Sequence, residues 1–272
     1  MKEKKRILVY RRGGLGDTLL IFPLLENFKK LGYQVYFLGN SDYIGLAKLC
    51  GFADAAYSGE FLPHFLRKPF EKKIVISFDG NLNPYPPQRI WLPIYYLQSL
   101  GLPLDFSKKL PLSINKQSSK SPHLSKVAVI HPGSGSSKKN PPLSLFEKIE
   151  NLLLTYGYTP IYFLGPAEKN LLSFKTNVYY STNIIDTLNF LHKAQLFIGN
   201  DSGISHLASF LGLKCFLFFG PSDEIIYRPI GENVEILSLP LTCRPCFPKV
   251  CEERTCLNEK ELWKVFLKAF ST

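Results

Sequence analysis

The sequence predicts an α/β protein made of two doubly wound domains, each a parallel sheet with helices on both faces. Short apolar runs alternate with stretches in which apolar residues recur every three or four positions, the pattern of buried strands followed by amphipathic helices. A polar segment rich in Ser and Lys, Ser113–Lys126, interrupts that alternation, which then starts again. The chain has 272 residues, 45% hydrophobic and 20% charged, which suits a folded protein of two ordinary domains.

Taken in order, "RILVY" (Arg6–Tyr10) is the first strand. Leu20, Leu24, Phe28 and Leu31 follow at helical spacing, with Gly32 as the stop. "QVYFLG" (Gln34–Gly39) is the next strand, "DYIGLAKLCG" a short helix and "IVISFD" (Ile74–Asp79) another strand. Beyond the linker, "VAVIH" (Val127–His131) is a strand, and "SLFE" (Ser144–Glu147) reads as a capping box opening a helix that Gly157 closes. "PIYFLG" is a strand, with a helix expected from Pro166. "LFIGN" (Leu196–Asn200), a helix from about Ser202 to Leu211, and "KCFLFFG" (Lys214–Gly220) form a strand–helix–strand unit. "EKELWKVFLKAF" (Glu259–Phe270) has the periodicity of an amphipathic terminal helix. The expected divisions are a first domain over 1–118, a second over 119–258, and a terminal helix over 259–272 that packs back on the first domain.

Open parallel sheets bind ligands beyond the carboxyl ends of their strands, and three loops there carry candidate chemistry. The first is "RRGGLGDTLLIFP" (Arg11–Pro23). It lacks G-x-G-x-x-G, and its carboxylate Asp17 at the helix start would repel a phosphate. Asp17 is either an ordinary N-cap or a functional acid. The second, "HPGSGSSKKNPP" (His131–Pro142), offers Ser134 and other hydroxyls beside Lys138 and Lys139. It is either an exposed polar loop or a diphosphate site. The third, "GNDSGISHLA" (Gly199–Ala208), turns the amides of Ser202 and Gly203 out of a new helix, with Asp201 before them and His206 one turn on. A Ser–His–acid triad is disfavoured because no nucleophile elbow is present.

Together these loops resemble glycosyltransferase family 9, the ADP-heptose:lipopolysaccharide heptosyltransferase family. Gly16-Asp17 with Phe22-Pro23 is similar to the family's G-D-x-x-x-x-L-P segment, Phe22 replacing Leu. "HPGSGSSKKNPP" is similar to G-S-x-x-x-K-x-W-P, with Pro141 where Trp is customary. "NDSGISHLA" resembles D-[ST]-G-x-x-H, and "FGPSD" (Phe219–Asp223) resembles G-P-[ST]-D. The resemblance implies a GT-B fold, two Rossmann-like domains with parallel sheets facing across a cleft, the second binding a nucleotide sugar and the first an acceptor. It implies Asp17 as the base of an inverting transfer of a sugar, heptose from ADP-heptose, to a lipopolysaccharide core. By position it assigns the donor to Ser134, Lys138, Lys139, Asp201, Ser202, Gly203 and His206. Glu168 would meet the ribose, unless it is a solvated acid at a helix start. Gly14, Arg12 and Arg89 are the candidate acceptor contacts. No metal is required for such catalysis. The alternatives are a nucleotide-sugar epimerase or hydrolase, or a catalytically degenerate basic protein that binds glycolipid or nucleic acid.

A net charge of +11 fits either a basic solvated surface or an anionic partner. The acceptor itself or an anionic membrane surface would serve; no nucleic-acid signature accompanies the charge. The apolar run Ile7–Tyr10 is too short for a secretion signal, and no run approaches the roughly 18 residues of a membrane span, so a cytoplasmic location is expected, peripheral at the inner face of the inner membrane. Cys243, Cys246, Cys251 and Cys256 make C-x2-C-x4-C-x4-C, a set that could hold a structural zinc, whereas Cys50 and Cys215 read as core.

Overall fold

The computed structural model describes residues 5–112, 126–166, 168–169, 177–249 and 251–271. The chain divides into two compact units, Met1–Ser113 and Ile114–Thr272. The boundary expected at 118/119, the linker and most of the helix expected after Pro166 lie outside the described residues.

The first unit runs β1 (Arg6–Arg11), α1 (Leu15–Leu20), α2 (Phe22–Lys30), β2 (Gln34–Gly39), α3 (Gly45–Leu49), β3 (Ala55–Ser58), α4 (Leu62–Leu66), β4 (Lys72–Ile76) and α5 (Leu92–Ser99). Its sheet has the order β3-β2-β1-β4 with every pair parallel. The chain therefore leaves β1 toward β2 and returns on the other side as β4. The reversal makes a crevice at the carboxyl ends of β1 and β4, where such sheets take ligands. Ile7, Leu8 and Val9 are wholly buried, as a central parallel strand requires.

The single helix expected from Leu20 to Leu31 is two. Pro23 has no N–H to give the preceding turn, so the chain stops at Ile21 and restarts at Phe22. Leu20, Leu24 and Phe28 still face the core, but Leu31 is the C-cap and is exposed. Gly32, at φ +82°, ends the helix, with the Tyr33 amide donating to the Phe28 carbonyl.

The second unit runs β5 (Lys126–His131), α6 (Leu143–Thr155), β6 (Tyr158–Leu164), β7 (Val178–Tyr180), α7 (Ile184–Leu191), β8 (Leu196–Asn200), α8 (Gly203–Phe210), β9 (Lys214–Phe218), β10 (Val234–Leu237) and α9 (Glu259–Phe270). Its six strands are parallel in the order β10-β9-β8-β5-β6-β7. Here the reversal falls beside β5, so the loops after β5 and β8 share one crevice.

One expectation changes in this unit. Ser144 does not cap α6. Pro142, locked in an extended conformation, is the N-cap, and Ser144 lies inside the first turn, its hydroxyl bonded to Glu259. The terminal helix α9 is part of the second unit. Its buried Leu262 and Phe266 belong to the second unit's core with Phe216, Phe218 and Leu145, and Glu259 also pairs with Lys148. An apolar stripe requires some cover, but the cover it finds is set by nearby Phe216 and Phe218 on β9.

Candidate active site

In the first unit, β1 delivers Arg11 to the sheet edge and the chain turns through Gly13 and Gly14 into α1. Asp17 is not the N-cap. Gly14 occupies that position and Asp17 stands three residues on, its Oδ2 accepting the Gly14 amide at 3.0 Å. Its Oδ1 accepts from Arg11 Nη2 at 2.6 Å. The Arg11 side chain is 10% exposed and that of Asp17 33%, so the guanidinium is buried beneath a carboxylate that solvent or substrate can still reach. A carboxylate has about four lone-pair positions; these two bonds orient it and leave acceptor capacity. Gly13 is required here on steric grounds: a Cβ at that position would lie 2.6 Å from the Asp17 Cβ and 2.7 Å from Oδ2. Arg11 also donates to the Arg12 carbonyl at 3.3 Å, and Arg12 itself is exposed. Arg89 is exposed in the loop between β4 and α5.

In the second unit the β5 and β8 loops meet. Lys139 Nζ donates to Asp201 Oδ2 at 3.0 Å, with side-chain exposures of 16% and 11%. An ammonium carries three donors, so a pairing with Asp201 leaves others for an incoming anion. Ser202 is the N-cap of α8, its Oγ accepting the Ser205 amide at 3.2 Å, and Gly203 opens the helix. His206 is buried one turn along, its amide donating to the Ser202 carbonyl. Ser134 Oγ donates to the Ser136 carbonyl at 2.8 Å and lies 2.6 Å from the Asn140 side-chain amide. The Asn200 amide faces that of Asn140 at 2.9 Å. With its nitrogen turned to the β5 loop, it donates to the His131 and Gly133 carbonyls at 3.2 and 2.7 Å. Asn140 and Asn200 thus join the two loops. Neither stands out in the sequence, because the join is between side chains sixty residues apart.

Glu168 is not a solvated acid. It is 5% exposed, its Oε2 accepts the Gly165 amide at 2.9 Å, and its carboxylate lies over Gly133, where a Cβ would come within 1.9 Å of Oε1. Buried His131 lies below, Nδ1 at 3.0 Å from the Phe163 carbonyl oxygen. Burial pulls its pKa below the usual imidazole value, and the Glu168 charge opposes that. Lys138 is exposed and donates to the Pro248 carbonyl at 3.1 Å, so it reaches the cysteine-bearing segment and not Asp201. In the fourth loop Asp223 accepts the amides of Ile225 and Ile226, and so shapes a turn.

Cys50 and Cys215 are buried, and burial pushes both thiols up to about 12. Cys256 is buried too, and its thiol is raised first by burial and then by the neighbouring Cys246, Cys243 and Cys251. Among the described residues no three His, Cys, Asp or Glu side chains are gathered as a metal site. None of the described helices is long and apolar enough to cross a membrane.

One parallel sheet thus carries an oriented, partly exposed carboxylate, and the other a cation beside a capped helix start. A model of glycosyltransferase family 9 (heptosyltransferase) matches residues 94–257. The chain belongs to glycosyltransferase family 9. It is a glycosyltransferase, with the two parallel-sheet units expected of the fold. This family 9 chain is 25% identical to lipooligosaccharide heptosyltransferase 2 of Campylobacter jejuni over 97% of both chains. It resembles the structure of E. coli ADP-heptose lipopolysaccharide heptosyltransferase II with a TM-score of 0.68, at 13% identity over 97% of this chain and 99% of the other. It also resembles the dodecameric iron-containing heptosyltransferase TibC of enterotoxigenic E. coli, in complex with ADP-D-beta-D-heptose. There the TM-score is 0.74 at 17% identity, over all of this chain and 77% of TibC. At such identities the structural likeness is one of fold.

Proposed function

We propose that the protein moves a heptose, with inversion, from ADP-heptose to a lipopolysaccharide core. The observation that carries this reading is Asp17, fixed through both oxygens by Arg11 and Gly14 yet one-third exposed. In that role Asp17 takes the proton of an acceptor hydroxyl as its oxygen bonds to the anomeric carbon. The bond from that carbon to the diphosphate breaks in the same displacement, and ADP departs. The transition state has oxocarbenium character, and the negative charge growing on the leaving group is met by Lys139 and the amides of Ser202 and Gly203. Asp201 contacts sugar hydroxyls while it holds Lys139. Ser134, Lys138 and His206 complete the phosphate end, and Glu168 the ribose side. Arg12, Gly14 and Arg89 take the anionic acceptor. Family 9 membership and the heptosyltransferase names of its relatives support the donor and acceptor. The +11 charge supports work at the cytoplasmic face of an anionic membrane.

The test is a panel of nucleotide sugars offered with heptose-deficient lipopolysaccharide core. ADP-heptose is expected to give a heptosylated core and free ADP. Turnover of a UDP-sugar without acceptor would favour the epimerase or hydrolase instead.

The reading retains a structural zinc on Cys243, Cys246, Cys251 and Cys256. Their soft thiolates suit tetrahedral zinc, although among the described residues no three ligating side chains are gathered as a metal site. Protein purified without chelators is expected to carry about one zinc per chain by elemental analysis. Metal-free protein of full activity and unchanged melting temperature would return the four to free thiols.

A further inference from the structure

The lysine-bearing turn of the second unit has an unusual support. Ser137–Lys139 is a single 3-10 turn that buries none of its residues, so the sheet's core does not hold it in place. What reaches it is the cysteine-bearing segment after β10. Arg254 Nη2 donates to the Ser137 carbonyl at 3.1 Å and to the Asn140 carbonyl at 2.6 Å, bridging the two ends of the turn. Lys138 returns a bond to the Pro248 carbonyl, and the Phe247 ring centroid lies 5.6 Å from Lys139 Nζ. These contacts come from residues about a hundred or more positions away in sequence, and they surround the turn that carries Lys139, the partner of Asp201.

The segment is itself firmly based. The amides of Cys246 and Phe247 donate to the Pro221 carbonyl at 2.9 and 3.0 Å. Arg244, its side chain 5% exposed, donates to the Gly220, Leu239 and Ser222 carbonyls and pairs with Glu224 at 3.0 Å. At the other end Leu257 is in the core and fills the space over Gly220. Between these anchors, Arg254 holds a left-handed backbone (φ +45°), uncommon for a residue with a side chain. A cavity of 280 Å³ lined by Pro142, Glu253, Thr255 and Asn258 opens beside it. The two hydrogen bonds from Arg254, the Lys138–Pro248 bond and the Phe247 ring over Lys139 tie the segment to the turn.

We propose that residues 242–249 and 251–255 form a wall of the donor site, in which Arg254 and Phe247 are positioning residues for Lys139. Arg254 fixes the backbone that carries the lysine. The Phe247 ring face, partly exposed, confines the ammonium electrostatically and sterically to the side where Asp201 stands. The inference rests on the reading of Lys139 as the diphosphate cation. It assigns work at that site to a stretch that none of the four sequence motifs includes.

The experiment measures ADP binding to the full chain by calorimetry, with donor KM and kcat for the same proteins. Arg254→Ala is expected to weaken ADP about tenfold, a loss of roughly 1.4 kcal/mol, and to raise donor KM more than it lowers kcat. Arg254→Lys should restore part of that affinity, because an ammonium can still donate to one of the two carbonyls. Phe247→Ala should also raise donor KM, and Phe247→Tyr should restore it. Melting temperatures of the variants guard against simple unfolding, and the conservative pair keeps the test decisive if an alanine variant misfolds. If Lys139→Ala loses ADP while Arg254→Ala and Phe247→Ala bind it as the wild type does, the wall is overturned and the donor site stands. If Lys139→Ala binds ADP as well as the wild type, the donor reading fails first, and the wall with it.

Discussion

Asp17→Asn is expected to lower the rate of sugar transfer by about a hundredfold to ten-thousandfold, the usual contribution of a general base, with ADP affinity unchanged. The substitution keeps the shape of the side chain and one oxygen for the Gly14 amide or for Arg11. It removes the charge and the capacity to take a proton. Some stability should go with it, because the buried Arg11 guanidinium loses its counter-ion. The loss should fall short of the roughly 3–5 kcal/mol of a fully buried broken pair, since Asp17 is one-third exposed. Turnover and ADP binding are therefore to be read below the variant's melting range. Gly13→Ala offers an independent check that leaves the carboxylate chemically intact. Its methyl would occupy space held by the Asp17 side chain, so transfer should fall while donor binding persists. Turnover at the wild-type rate in Asp17→Asn would remove the carboxylate from the mechanism.

Lys139→Ala should act on the opposite half of the reaction. Donor affinity is expected to drop roughly thirtyfold or more, about 2 kcal/mol, the lower end for removing one partner of a buried charge pair. Two effects combine. The diphosphate loses its cation, and Asp201, 11% exposed, becomes an unpaired carboxylate facing the incoming anion. Removing both charges in Lys139→Ala/Asp201→Asn should recover part of the affinity, because the repulsion disappears. Calorimetry with ADP reads both variants. Undiminished affinity in Lys139→Ala would move the phosphate site elsewhere.

Much of this architecture is written locally in the chain. Apolar runs ending in Gly-, Ser- and Asp-rich turns mark β1, β5, β8 and β9, and the four motif loops follow those strands. Parallel order then brings the β5 and β8 loops together, as their side-by-side pairing in the sheet requires. Other features depend on partners distant in sequence. The apolar spacing of Leu20, Leu24 and Phe28 reads through Ile21 as one helix, and only the missing N–H of Pro23 signals the break. Ser144 has the spacing of a cap, but Pro142 before it already starts the helix, and Glu259 draws its hydroxyl away. Glu168 looks like a surface acid until Gly133 is seen to make room for it. The support of Lys139 by Phe247 and Arg254 depends on contacts that no local pattern encodes.

The most direct measurement is the anomeric configuration of the transferred sugar, read from the one-bond C–H coupling at its anomeric carbon in the isolated product. A single displacement assisted by Asp17 turns a β-configured nucleotide donor into an α-linked product. An α linkage from a β donor is the result expected of the wild-type enzyme. A β-linked product would require a double displacement through a second nucleophile, and would contradict the role given to Asp17.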